Sequence, residues 1–229
     1  YKHNRVKIDS PSTYINASWI DIPTKHNIIS TQGPIKSTLD DFWTMIEQYN
    51  VNLIIMLCNL IERNAKKCEN YWNNKRLKKY KIEVVKEEKG VNLVIRQLKL
   101  TNLKEMTQKE VKQLHFIGWP DHGIPDIKKT YQIFLDMINI VEKEKGDSPL
   151  VVHCSAGVGR TGTFICCLLL YLNFLETAEE CLLYYGLMRV GTVKGVTVPS
   201  QIRYVHYFEI VLKNNLKHHI TFKSICIRK

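Results

Sequence analysis

Apolar and polar positions along the chain fall into blocks with two different periods. Residues 51–57 are apolar at every position but Asn52, and Leu150-Val151-Val152 is apolar throughout. Short runs without alternation predict strands buried on both faces, as in mixed or parallel sheets. Ile28 and Ile29 predict a strand that ends in the turn Thr31-Gln32-Gly33-Pro34. Residues 80–85, 91–98 and 111–117 predict antiparallel strands, the first two joined by a turn at Glu88-Lys89-Gly90. Other blocks have the helical period. Leu39, Phe42, Trp43 and Ile46 fall at i, i+3, i+4 and i+7, behind Thr38 as a cap and with Asp40 and Asp41 in the first turn. Residues 128–145 carry Tyr131, Phe134, Leu135, Ile138 and Val141 on one stripe. Gly146-Asp147-Ser148-Pro149 ends that helix and returns the chain to the strand at 150, a connection that suggests a right-handed crossover. Residues 164–175 are apolar enough for a buried helix, 178–190 predict another, and Pro199 and Ser200 open a last one.

Composition narrows the class. The chain has 229 residues, enough for one sizeable core, with 45% apolar and 24% charged, the balance of an ordinary globular domain. No run reaches the eighteen or so apolar residues of a membrane span. No leader peptide is visible, although an upstream segment is expected to precede Tyr1. The seven cysteines (58, 68, 154, 166, 167, 181, 226) are odd in number and lack metal-ligand spacing, so no metal or other cofactor is expected and a reducing, cytoplasmic compartment is. Net charge is 33 − 22 = +11, a field able to attract acidic peptides, phosphoinositides or nucleic acid. The densest basic patch, Lys75, Arg76, Lys78, Lys79 and Lys81, reads as a solvated hairpin flank, which makes a nucleic-acid partner the weaker reading. The basic tail 215–229 and the polar stretch 99–110 point to no chemistry.

Chemistry concentrates in His153-Cys154-Ser155-Ala156-Gly157-Val158-Gly159-Arg160-Thr161-Gly162. A strand, a tight loop and a helix put Cys154 at the start of the loop and Arg160 at the start of the helix. Glycines let successive amides of 155–160 turn inward as an anion nest. The helix aims its positive end at the same spot, and Arg160 adds a planar fork for two phosphate oxygens. A cysteine in such potential readily becomes the thiolate, the nucleophilic form. A Walker-type nucleotide loop is excluded, because no Gly-Lys-Ser/Thr is present.

This stretch resembles the signature of the tyrosine-specific, cysteine-dependent protein phosphatases. Tyr14-Ile15-Asn16-Ala17-Ser18, Thr31-Gln32-Gly33-Pro34, Phe42-Trp43, Cys68-Glu69-Asn70-Tyr71-Trp72 and Trp119-Pro120-Asp121-His122-Gly123 resemble further motifs of that family, in its order. The resemblance implies a single α/β (α+β) domain over residues 1–229, a highly twisted mixed β-sheet flanked by helices, with the cysteine loop between a central strand and a helix. It implies that Asp121 lies on a movable loop and serves as general acid, with Asp126 fixing the loop end. It also makes Glu62 the carboxylate that holds Arg160, puts Lys67 at the rim, and aligns Gln201 with the second of two pocket-facing glutamines. The first falls on Thr197, a departure at the residue expected to position water. The loop that carries a substrate-stacking tyrosine would fall before Tyr1, so the domain reads as N-terminally incomplete and Tyr14 as scaffold.

The expected reaction is hydrolysis of phosphotyrosine in signalling proteins, without metal. Cys154 attacks phosphorus, the amides of Ser155, Ala156, Gly157, Val158, Gly159 and Arg160 hold the phosphate together with the Arg160 side chain, and Asp121 protonates the departing oxygen. Thr161 donates to the sulfur and His153 tunes it from behind. Three rivals stay open: a module that captures phosphotyrosine with slow turnover or none, a phosphatase for serine/threonine, RNA 5′-phosphates or phosphoinositides, and a rhodanese-like sulfur transferase, which shares a cysteine loop but not Trp119-Pro120-Asp121.

Overall fold

A computed structural model describes residues 4–11, 13–23, 27–119, 127–144 and 146–214. In chain order the elements are β1 (Arg5–Lys7), β2 (Tyr14–Ile20), β3 (Ile28–Thr31), α1 (Leu39–Gln48), β4 (Leu53–Met56), β5 (Ile61–Glu62), β6 (Ala65–Lys66), β7 (Tyr80–Lys89), β8 (Leu93–Asn102), β9 (Gln108–Phe116), α2 (Ile127–Glu144), β10 (Leu150–His153), α3 (Gly159–Tyr171), α4 (Ala178–Val190) and α5 (Pro199–Lys213).

Eight strands form one sheet in the order β1-β2-β3-β10-β4-β9-β8-β7, and β5 pairs with β6 as a separate ladder. β3, β10, β4 and β9 run parallel, and β1–β2 and β8–β7 extend the two sides as antiparallel wings. The sheet is therefore mixed, with helices packed on it. The two apolar runs become β10 and β4, and with β3 between β2 and β10 they form the buried centre: every residue of β3, β4 and β10 is buried. In β10, Val151 lies opposite Ile29 on one side and Ile54 on the other, and His153 lies opposite Thr31 and Met56.

Burial of α3 is almost complete, from Thr161 to Leu170, and it packs against β10, α4 and α5. Phe134 of α2 stacks on Phe164 of α3 at 5.2 Å, on Tyr204 of α5 at 5.3 Å and on Trp119 at 5.9 Å between ring centroids. A second aromatic cluster joins α1 to the strand that leads into Cys154: Phe42 lies 4.8 Å from Tyr71 and 5.9 Å from His153, and Trp43 Nε1 donates to the Tyr71 carbonyl at 3.1 Å. Contacts of this kind contribute beyond the apolar area they bury, and they fix the two ends of the segment 150–164.

Several expectations change in detail. The β7–β8 turn sits at Gly90-Val91-Asn92 rather than at 88–90, because Gly90 N donates to Leu93 O at 2.8 Å and the strand runs on through Lys89. α3 stops at Tyr171, not at 175: Asn173 takes a left-handed φ of 52°, and the amides of Asn173 and Phe174 close on Leu170 and Leu169. Thr38 precedes α1 but does not cap it. Its hydroxyl folds back on Ile35, accepting from N at 3.0 Å and donating to O at 3.3 Å, which closes one 3₁₀ turn. Tyr14 opens β2, with its ring half exposed beneath the Arg5 guanidinium at 5.5 Å.

Candidate active site

Cys154 follows the last residue of β10, at the carboxyl ends of the central parallel strands, where open α/β sheets place their ligand crevices. The loop 155–158 then turns into α3, whose N-cap residue Val158 makes no side-chain cap, so the helix's leading N–H groups are left to the site. Gly157 has φ +69°, and a Cβ there would lie 2.1 Å from the Thr31 carbonyl oxygen. Gly33 meets the loop from the other side, its amide donating to Ser155 O at 2.9 Å, and a Cβ on it would sit 2.4 Å from Cys154 O. Only glycine fits at these two close approaches. Ser155 Oγ donates to Lys67 O at 2.8 Å.

The carbonyl of Gly157 is drawn outward by two side chains of α4: Arg189 Nε donates to it at 2.9 Å, and the Tyr185 hydroxyl lies 3.2 Å from it and 3.1 Å from Val158 O. Arg189 is anchored in turn on Asn16 Oδ1 at 3.0 Å. A peptide plane whose carbonyl is held outward turns its N–H the other way. The amide of Gly157 itself points at Cys154 Sγ, 3.3 Å away, and the cysteine is 5% exposed.

Arg160 grips Glu62 with both arms, Nη1 to Oε1 at 2.6 Å and Nη2 to Oε2 at 2.8 Å, and Nη1 also donates to Leu57 O at 3.3 Å. Glu62 is buried on the β5–β6 hairpin, whose turn residues Arg63 and Asn64 both have positive φ, as a tight two-residue loop requires. The Asn59 amide donates to Glu62 Oε1 at 3.0 Å. Burial alone lowers the pKa of Arg160, but the Glu62 carboxylate more than offsets it and holds the guanidinium firmly charged. The Trp119 ring lies 5.9 Å from the guanidinium carbon.

A model of the protein-tyrosine phosphatase family matches residues 1–213. The chain belongs to the protein-tyrosine phosphatase family. Among its relatives, human receptor-type tyrosine-protein phosphatase alpha is 35% identical over 225 residues, 93% of this chain and 27% of that protein. The Drosophila melanogaster tyrosine-protein phosphatase 99A is 39% identical over 186 residues, 72% of this chain and 14% of that protein. The chain thus spans about a quarter or less of the length of these curated relatives. A structure solved for the PTPN18 fingerprint on distinct HER2 tyrosine phosphorylation sites superposes with a TM-score of 0.78 at 28% identity, covering 93% of this chain and 79% of that one.

In this phosphatase-family domain Cys154, the loop 155–160, Arg160 and Glu62 come together. Asp121 lies outside the described residues, as do His122 and Asp126. Gln201 stands in the first turn of α5, buried, and a Cβ on Gly159 would meet its Oε1 at 2.7 Å. Among the described residues, neither that Oε1 nor the buried hydroxyl of Thr161 has a hydrogen-bond partner. Thr161 therefore makes no bond to the sulfur here, where the Gly157 amide is the donor. Two orphaned polar atoms beside an anion nest suit a polar ligand. Thr197 is exposed on the loop between α4 and α5. His153 is fully buried between the Tyr71 hydroxyl, 2.8 Å from Nε2, and the Cys154 carbonyl, 3.0 Å from Nδ1. Burial lowers its pKa to about 4, so the ring is neutral at pH 7.

Tyr185 and Arg189 are the site residues that sequence reading missed. The spacing i, i+4 puts the two on one face of α4, but nothing local in the sequence points that face at Gly157. Among the described residues no group of three His, Cys, Asp or Glu side chains is placed to hold a metal, and no helix is long and apolar enough to cross a membrane.

Proposed function

We propose that residues 1–229 act as one catalytic unit that hydrolyses phosphotyrosine in proteins through a phosphocysteine. The observation that carries this reading is the aim of the Gly157 amide at Cys154 Sγ, on a loop whose Arg160 is pinned in the same place by Glu62. The amides of 155–160 and the Arg160 guanidinium bind the phosphate oxygens. The thiolate forms an S–P bond as the P–O bond to tyrosine breaks, and Asp121 gives its proton to the departing oxygen. Water then attacks phosphorus, Asp121 takes its proton, and the S–P bond breaks. Gln201 orients that water, and the Thr161 hydroxyl, unpaired in the resting site, turns to the leaving sulfur. Charge on the equatorial oxygens meets donors already in position, the condition under which they help most. Neither step calls for a metal. A working thiolate needs a reducing compartment, which supports a cytoplasmic reading, and the six described cysteines are all free thiols.

One observation favours a slow second step: Thr197 is exposed where the family pattern has a glutamine. Stopped-flow turnover of a phosphotyrosine peptide tests both points. A burst of free tyrosine peptide followed by slower phosphate release is expected. Cys154→Ser should show neither phase, and retained turnover in that variant overturns the nucleophile. Asp121→Ala should suppress the burst while leaving peptide binding intact.

A further inference from the structure

Behind the nucleophile runs a continuous buried file of polar groups that the reaction above does not use. Arg96 of β8 donates from Nη1 to Gln113 Oε1 on β9 at 2.7 Å. Gln113 Nε2 lies 2.6 Å from the Tyr71 hydroxyl, which lies 2.8 Å from His153 Nε2, and His153 Nδ1 lies 3.0 Å from Cys154 O. Gln113, Tyr71 and His153 are fully buried and Arg96 nearly so. Glu87 of the edge strand β7 holds the outer end of the file, 2.6 Å from Arg96 Nε, and the Arg96 guanidinium stacks on Trp72 at 4.3 Å.

The direction of this file is set at its far end. An arginine has donors only. Gln113 Oε1 must therefore accept, which leaves its NH₂ to donate to the Tyr71 oxygen. Tyr71, kept in its phenol form by burial, has one proton left to give, and it gives it to His153 Nε2. The single proton of neutral His153 must then sit on Nδ1, donating to the Cys154 carbonyl. The same guanidinium reaches His115 Nδ1 at 3.2 Å and fixes the opposite tautomer there, with Nε2–H donating to Cys58 O at 2.9 Å.

We propose that Arg96 and Gln113 are positioning residues for the phosphatase reaction: by fixing the proton of His153 on Nδ1 they hold the Cys154 carbonyl. The peptide plane that begins at that carbonyl then presents the Ser155 N–H on the side away from His153. The proposal rests on the phosphatase reading for its effect on rate, but not for the tautomers. Gln113→Glu tests it, because the shape is kept while the group can only accept from both Arg96 and Tyr71. Tyr71 then turns its proton outward, and its oxygen can only accept from His153 Nε2–H, which leaves the Nδ1 lone pair against a carbonyl.

The experiment is ¹⁵N-resolved NMR of the histidine rings, with iodoacetamide alkylation of Cys154 measured at pH 6. Wild type should show His153 protonated on Nδ1 and His115 on Nε2. In Gln113→Glu the His153 proton should move to Nε2 while His115 stays as it was, alkylation of Cys154 should slow about tenfold, and kcat should fall with KM unchanged, as the loss of one buried hydrogen bond predicts. A wild-type His153 protonated on Nε2, or a Gln113→Glu ring still protonated on Nδ1, overturns the proposal. Should that variant not fold, the wild-type spectrum decides alone, since any other pair of tautomers overturns the file's direction. A Cys154 no more reactive than the buried thiols would instead overturn the phosphatase reading and leave the tautomer result standing.

Discussion

Two glycines of the loop differ in what crowds them. At Gly157 a Cβ would strike backbone at 2.1 Å under a left-handed φ, so Gly157→Ala must move the loop or β3. A loss of about 2–3 kcal/mol in urea denaturation is expected, together with loss of the thermal shift given by tungstate, a tetrahedral oxyanion. At Gly159 the obstacle is the far end of Gln201. Gly159→Ala should leave stability within about 0.5 kcal/mol and slow only phosphate release after the burst. Removing Glu62 takes its carboxylate from a mostly buried guanidinium, and Glu62→Ala should cost about 3 kcal/mol of stability and weaken oxyanion binding. Cys154, Arg160 and the glycines were legible because their chemistry is local in sequence. The roles of Asn16, Tyr185 and Arg189 were not, because they act on Gly157 across the fold, through bonds that no local period or spacing encodes.

At the scale of elements, α4 carries its own start and stop. Thr177 accepts from the Glu180 amide at 3.2 Å, Glu180 reaches back to the Thr177 amide at 3.0 Å, and Gly191 ends the helix with φ 71°. Thr177→Ala should lower stability by about 1 kcal/mol in denaturant melts. The expected span 178–190 coincides with the observed one for this reason. The turn of β7–β8 was misplaced because Val91 reads as a strand residue yet caps the hairpin tip in full exposure. β1 and β2 were not predicted as strands at all. They carry no apolar run, and pairing makes them strands: β2 with β3, and the three-residue β1 with β2. The edge strand β7 protects itself with charge and with a bulge at Val85, between the pairs Val84–Leu98 and Lys86–Gln97.

At the scale of the whole molecule, two histidines among the described residues are buried and neutral. Burial lowers both His115 and His153 to about 4, against about 6.5 in an unfolded chain. Between these values the unfolded chain takes up protons that the folded one refuses. Their stabilising effect is complete above pH 6.5 and is lost as pH falls from 6.5 to 4, by about 1.4 kcal/mol per pH unit for each ring at its steepest. Urea melts at pH 7.5, 6 and 5 should show this fall, and His115→Gln should remove roughly half of it. Apolar runs and helical stripes marked buried strands and helices, and the resemblance implied the mixed sheet, but strand order was not legible from the apolar pattern, because it depends on which strand enters between which others. β10 comes late in the chain and lies between β3 and β4, both made early. During synthesis, Thr31 and Gly33 wait with no loop to meet, and Glu62 with no guanidinium to hold. A half-made chain thus lacks both the Cys154 loop and the cradle around it, and it gains both in the single event that fills the slot. Strand edges unpaired until then are open to a stray strand, so completing the loop and protection from aggregation arrive together.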